Sequence, residues 1–334
     1  MEVVDLPDPG EPSSGEVIVR PEAVGLCGSD FHYFLGDLGA VDPSTLYPRI
    51  QGHEVSAVVE QVGPECPPGL TAGERVAIWP VGSCGRCYPC RIGRGNVCAN
   101  ISLIGIHKDG ALQERLRLPA TQVFPVGDQD AATTSLVETV SIGVRTVVRG
   151  RVASGEKVVV FGAGPIGQSV ALAAIDRGAS VLLLDRLETR LKLGKTGAEL
   201  LAVRDGSDSV AAAREWAGED GPEVVIEATG VPELVHDAIE LVAPAGRVVV
   251  VGLSNHDAPL RIGALPFKEI DVLGVSCCGT GEFSEAVALV ARHQAAVSCL
   301  VTHEFPLARA PEAMSYAMQH PTEVMKAVIL LEEQ

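Results

Sequence analysis

Four cysteines fall close together, as Cys84-Gly-Arg-Cys87-Tyr-Pro-Cys90 followed by Cys98. Four thiolates at C-x2-C-x2-C-x7-C spacing suit a closed tetrahedral zinc site, with no coordination position left for a substrate. Such a site is structural. Gly85, Pro89, Gly93 and Gly95 let the loop fold around one ion. An iron–sulfur cluster is the main rival, because clustered cysteines ligate those too. The absence of a cluster-type Cys-Pro ending weighs against it.

A second constellation is dispersed. It comprises Gly25-Leu-Cys27-Gly-Ser29-Asp30 with His32, then Gly52-His53-Glu54, then Glu138. Taken singly, each residue says little. A lone Cys usually packs in a core, and a lone Glu is usually a solvated helix charge. Together, a thiolate, an imidazole and a carboxylate can hold zinc with a fourth position free for an alcohol. A metal so held acidifies the alcohol, which can then lose its proton near neutral pH and give up hydride.

The third motif is Gly162-Ala-Gly164-Pro165-Ile166-Gly167. Thirty-six glycines make chance matches easy, so context decides. An apolar strand leads in, a helix leads out, and Asp185 ends the next strand. Gly162 permits the tight turn. Gly164 lets backbone N–H groups approach a pyrophosphate at the helix N-terminus. Gly167 lets the helix lie close to the sheet. Asp185 can accept bonds from both adenosine ribose hydroxyls and repels a 2′-phosphate, which favours NAD over NADP. Arg186 pulls slightly the other way, since it could meet such a phosphate.

These residues need elements to position them. The texture changes near residue 140. Before it, Val-rich stretches such as 15–20, 55–62 and 75–79 alternate with Gly/Pro turns, as in an antiparallel β domain. Residues 36–48 and 64–68 read as loops. After it, strands at 157–161, 181–184, 223–227, 247–251 and 271–275 alternate with helices at 166–177, 188–196 and 233–243. That is a doubly wound parallel sheet, so the chain is α/β. The expected organisation is a catalytic domain over 1–138 with the cysteine lobe at 84–98, a dinucleotide domain over 139–279, and a tail over 280–334. The tail reads as helix, strand, helix, strand and is expected to rejoin the first domain.

The chain has 334 residues, enough for two domains at roughly 150 residues each. A formal charge of −17 with no basic stripe argues against nucleic acid and against anionic membranes. No apolar run approaches the roughly 20 residues needed to span a bilayer. No basic segment followed by an apolar one opens the chain, so a cytoplasmic location is the expectation. In that reducing compartment the nine cysteines read as ligands or core residues.

The Cys-Gly-Ser-Asp-x-His stretch, the Gly-His-Glu, the four-Cys lobe and the Glu ahead of the cofactor motif resemble the zinc-dependent medium-chain dehydrogenase/reductase family. The resemblance covers essentially the whole chain and is nearest the polyol, sugar-acid and threonine dehydrogenase branches. It implies a GroES-like antiparallel β catalytic domain joined to a Rossmann domain, with a catalytic zinc, a structural zinc and NAD. It implies that Cys27, His53 and Glu138 ligate the catalytic zinc, with Glu54 beside it and able to swap in as a ligand. Ser29 then takes the substrate proton, and His32 passes it towards solvent through the ribose hydroxyls. Asp30 orients His53. Gly162, Gly164, Pro165, Ile166, Gly167, Asp185, Arg186 and Arg190 hold NAD, and the turn from Glu227 to Gly230, with Thr229, lines its cleft.

The resemblance also implies a hydroxylated small-molecule substrate and a homodimer or homotetramer. Tyr33, Asp37, Arg49, His107 and Lys108 are the polar groups offered to a many-hydroxyl substrate. L-Threonine 3-dehydrogenase is the alternative enzyme, and a non-catalytic NAD-binding relative is the alternative of another class. Two departures stand out: Thr139 replaces the usual Pro after the ligand Glu, and the usual opening strand is expected to be missing, so that either the start is misassigned or one sheet edge is bare.

Overall fold

The computed structural model describes residues 1–36, 47–203 and 206–331. The chain divides into two compact units. One contains residues 1–138 and 278–334, the other residues 139–277.

The first unit begins with residues 1–15, which form no strand. Strands β1 (Glu16–Gly25), β2 (Glu54–Val62) and β3 (Arg75–Ile78) follow. Short strands β4 (Val81–Gly82) and β5 (Ser102–Leu103) pair with each other and flank the cysteine lobe. Then come β6 (Leu116–Pro119) and β7 (Val123–Pro125). β1 is central, yet it carries Pro21. A proline cannot donate to a ladder and is tolerated at a bulge. The register of β1 against β2 shifts between Pro21 and Ala23.

The second unit is the parallel sheet. Its strands are β8 (Lys157–Phe161), β9 (Ser180–Asp185), β10 (Glu199–Ala202), β11 (Val224–Glu227), β12 (Arg247–Val250) and β13 (Asp271–Gly274). They run in the order β10-β9-β8-β11-β12-β13. All the pairings are parallel. Val158, Val159 and Val160 are fully buried, as a strand covered on both faces requires. β10 and the helix Gly206–Ala217 are not evident in the sequence pattern.

The chain then returns to the first unit with β14 (Val301–Pro306) and β15 (Lys326–Leu330). These extend its sheet to β14-β15-β1-β2-β3-β7, with β6 also paired to β1. β15 lies antiparallel to β1 and places Val328 opposite Gly25, while β2 places Glu54 opposite the same glycine. Two strands far apart in sequence therefore flank the end of β1. Among the described residues, no helix is long and apolar enough to cross a membrane.

Candidate metal and cofactor sites

β1 ends at Gly25, and Cys27 follows as the N-cap of the helix Gly28–Leu35. β2 starts at Glu54, directly after His53. Ligand atoms of Cys27, His53 and Glu54 all lie within 4.8 Å of one another. His53 and Glu54 are buried, and Cys27 is half-buried. The helix start is pinned by Asp30, which accepts from the Cys27 backbone N–H at 2.9 Å. The other Asp30 oxygen lies 3.6 Å from His53 Nδ1, an ion-pair distance. Ser29 Oγ is 3.4 Å from His53 Nε2.

Charges crowd this site. Burial alone pushes the His53 imidazole down, but Asp30 and then Cys27 outweigh it and hold the pKa well above the ordinary value. Glu138, buried in the first turn of the helix Val137–Arg149, is pushed up to about 7 by burial. His53 opposes that rise and Glu54 adds to it. Glu138 is not part of the three-residue cluster, although it senses His53, Glu54 and Lys326 electrostatically.

Lys326 was not legible as a site residue. Its Nζ donates to both Glu54 oxygens, at 2.6 and 2.8 Å. No spacing rule links a lysine at the start of a late strand to a carboxylate on an early one. The only signal was its polar character at the head of an apolar run. His32 sits half-buried on the same helix as Ser29.

The cysteine lobe is compact. Sγ atoms of Cys84, Cys87, Cys90 and Cys98 lie within 4.8 Å of one another. Cys87 is 3.4 Å from Cys90 and 3.7 Å from Cys98, far beyond the ~2.05 Å of a disulfide. Backbone N–H groups of Arg86 and Cys87 lower the Cys84 thiol to about 6, and those of Cys90 and Ala99 lower the Cys87 thiol. Burial and the neighbouring thiols push Cys90 up to about 11. Four thiols converging on one point with N–H groups turned towards them fit a closed tetrahedral zinc site.

In the second unit, Gly162 takes φ +99°, closed to most L side chains. A Cβ at Gly167 would meet the Gly162 carbonyl oxygen at 1.8 Å, so helix and turn touch through bare backbone. Gly164 caps the helix Pro165–Asp176, which carries Ile166 in its first turn. Asp185 accepts from the N–H groups of Ala163, at 2.8 Å, and Leu187, at 2.9 Å. A carboxylate has about four lone-pair sites, so two remain for a ligand. Arg186 is exposed, and the backbone carbonyl of Arg190 accepts from Gln168 at 2.9 Å. Glu227 accepts from the N–H groups of Thr229 and Gly230 and from the Thr229 hydroxyl, which fixes that turn.

The proposed substrate groups fare unevenly. Tyr33 is buried edge-on to Tyr47, with ring centroids 4.7 Å apart. Arg49 pairs with Asp109 at 3.1 Å, and His107 Nδ1 accepts from the Leu103 N–H at 3.1 Å. Both serve the protein's own loops. Lys108 is exposed, and Asp37 lies outside the described residues.

Residues 13–128 match the alcohol dehydrogenase GroES-like domain, and residues 165–292 match the zinc-binding dehydrogenase domain. The chain belongs to the zinc-dependent alcohol dehydrogenase family. An uncharacterized zinc-type alcohol dehydrogenase-like protein of Haemophilus influenzae is 34% identical, over 97% of this chain and 94% of its own length. L-Galactonate-5-dehydrogenase of Escherichia coli K12 is 31% identical, over 97% and 94%. Among solved structures, the alcohol dehydrogenase RspB of E. coli CFT073, complexed with cofactor NADH, aligns with a TM-score of 0.84. It is 28% identical, covering 96% of this chain and 94% of that one. A zinc-dependent alcohol dehydrogenase of this family joins a GroES-like domain to a Rossmann-like parallel sheet, as the two units here do.

Proposed function

We propose that the protein oxidises a secondary alcohol of a polyol, sugar or sugar acid, with hydride passing to NAD. The observation that carries this is the convergence of Cys27, His53 and Glu54 at the end of β1, within 4.8 Å. Thiolate, imidazole and carboxylate form a donor set that fits a catalytic zinc. Cys27 and His53 would hold it with Glu54, whose carboxylate lies in the same cluster, and with Glu138, which the family resemblance implies as a ligand. When bound, zinc supplies a Lewis acid that acidifies the substrate hydroxyl, and NAD supplies the hydride acceptor.

The chain's own groups do the rest. Asp30 holds the His53 ring in place through Nδ1. Ser29 accepts the substrate proton, and His32, one turn along the same helix, carries it towards solvent. Gly162, Gly164 and Gly167 admit the pyrophosphate to the helix N-terminus, while the free lone pairs of Asp185 take the ribose hydroxyls. Cys84, Cys87, Cys90 and Cys98 hold the structural zinc. The sugar-acid dehydrogenase relative supports the substrate class. Thiols kept for metal rather than disulfides accord with a cytoplasmic location.

The reading extends to a homodimer or homotetramer. β13 closes one edge of the parallel sheet. Val272 on it is 43% exposed, and Ile262 and Phe267 just before it are 72% and 93% exposed. An open edge with apolar neighbours suits two-fold pairing with a second copy. Sedimentation of the wild type and of Phe267→Glu tests this; a wild-type monomer rejects it.

For the activity, purified protein is incubated with NAD and a panel of polyols and aldonates while NADH absorbance is followed, with and without a chelator. The reading predicts reduction with at least one panel member, lost on chelation. No reduction with any of them overturns it.

A further inference from the structure

Gln168 is fully buried in the helix Pro165–Asp176, one residue after the glycine motif. Burying an amide is costly unless it is hydrogen-bonded. Its Nε2 donates to the Arg190 carbonyl at 2.9 Å and lies 3.5 Å from the Ala163 carbonyl. Its Oε1 has no hydrogen-bond partner among the described residues, so what Nε2 holds must offset that cost. Arg190 stands in the six-residue helix Glu188–Leu193, which ends at Gly194. The last carbonyls of a helix need partners from outside it, and Gln168 supplies one to Arg190. Gly194 makes the room. It is buried, and its φ of −79° is open to any residue, so backbone freedom does not require a glycine there. A Cβ at this position would sit 1.8 Å from Gln168 Oε1 and 2.1 Å from its Cδ. The amide is seated against bare backbone.

These bonds close a circuit. The Ala163 N–H donates to one Asp185 oxygen at 2.8 Å, and the Leu187 N–H to the other at 2.9 Å. The Arg190 N–H donates to the Leu187 carbonyl at 3.1 Å. Gln168 joins Arg190 back to Ala163. Asp185 is thus framed by the glycine turn on one side and by residues 187–190 on the other. We propose that Gln168, seated on Gly194, is a positioning residue that holds the Asp185 carboxylate and residues 187–190 ready for the adenosine half of NAD. This rests on the assignment of Asp185 to the ribose.

The test uses the full zinc-loaded enzyme. Dissociation constants for NAD and for ADP-ribose, which lacks the nicotinamide, are measured by calorimetry. Turnover is followed with an alcohol of the panel that the enzyme oxidises. Gln168→Met keeps the side chain's length and removes the donor. Both dissociation constants and the KM for NAD rise about 5–10-fold, the scale of one hydrogen bond. The kcat at saturating NAD does not fall, whereas general damage to the fold would lower it too. Gly194→Ala pushes the Gln168 amide aside from the opposite direction and gives the same pattern, which keeps the test open if Gln168→Met does not fold. In a Gln168→Ala background, Gly194→Ala costs nothing further, because the amide it would strike is gone.

Unchanged dissociation constants in both single variants overturn the proposal. So does a Gly194→Ala penalty as large in the Gln168→Ala background as in wild type, or a fall in kcat as large as the loss of affinity. Failure of the underlying site is separable. If Asp185→Ser binds ADP-ribose as tightly as wild type, the ribose assignment is wrong. If it binds more weakly while the Gln168 and Gly194 variants bind normally, only the brace is wrong.

Discussion

Asp30 Oδ1 lies 3.6 Å from His53 Nδ1, with both side chains buried. The second oxygen of Asp30 is bound to the Cys27 backbone N–H. One carboxylate thus braces both the helix cap and the imidazole. Asp30→Asn keeps the shape but removes the charge facing the ring. Groups that orient a metal-bound imidazole contribute about 10–100-fold to metal affinity. The expected outcome is a loss of that size in zinc retention by chelator competition, with NAD affinity unaltered. Unchanged retention would show that Asp30 only caps the helix.

Asp185 braces the glycine turn through Ala163, and in the function proposed above it also takes the ribose hydroxyls. Asp185→Ser removes the charge that repels a 2′-phosphate. Hydrogen bonds to a charged group contribute about 1.5–3 kcal/mol, or roughly 10–100-fold. The ratio of kcat/KM for NAD to that for NADP is expected to narrow by that factor. An unaltered ratio would reject the assignment.

The cysteine lobe is predicted to act on stability rather than chemistry. Cys98 is 5% exposed and accepts from the N–H groups of Cys84, at 3.2 Å, and Asn100, at 3.3 Å. Cys98→Ser should remove the lobe's zinc and lower the melting temperature, because metal binding in such lobes is folding free energy. Metal analysis beside calorimetry checks this. Full zinc content with an unchanged melting temperature would contradict it.

What was legible in the sequence follows from distance along the chain. Cys84 to Cys98 declare themselves because their ligand spacing is local. Val158 to Val160 do so because a strand covered on both faces must be apolar throughout. Leu182 to Asp185 with the glycine turn disclose the doubly wound sheet for the same reason. Lys326 was hidden, because its partner Glu54 arrives on a strand from the other end of the chain. β10 was hidden because it is only four residues long, and so short an apolar stretch as Leu200 to Ala202 does not by itself distinguish a strand from a helix. Arg49 and His107 were offered to substrate because sequence cannot reveal that Asp109 and the Leu103 N–H engage them.

Cys27→Ala reaches the central claim most directly, with kcat, the dissociation constant for NAD and zinc content all measured on one preparation. The account predicts that turnover is abolished, that the zinc of this site is lost while the lobe keeps its own, and that NAD still binds with nearly wild-type affinity. A variant that turns over normally, or that loses NAD affinity more than turnover, would contradict it.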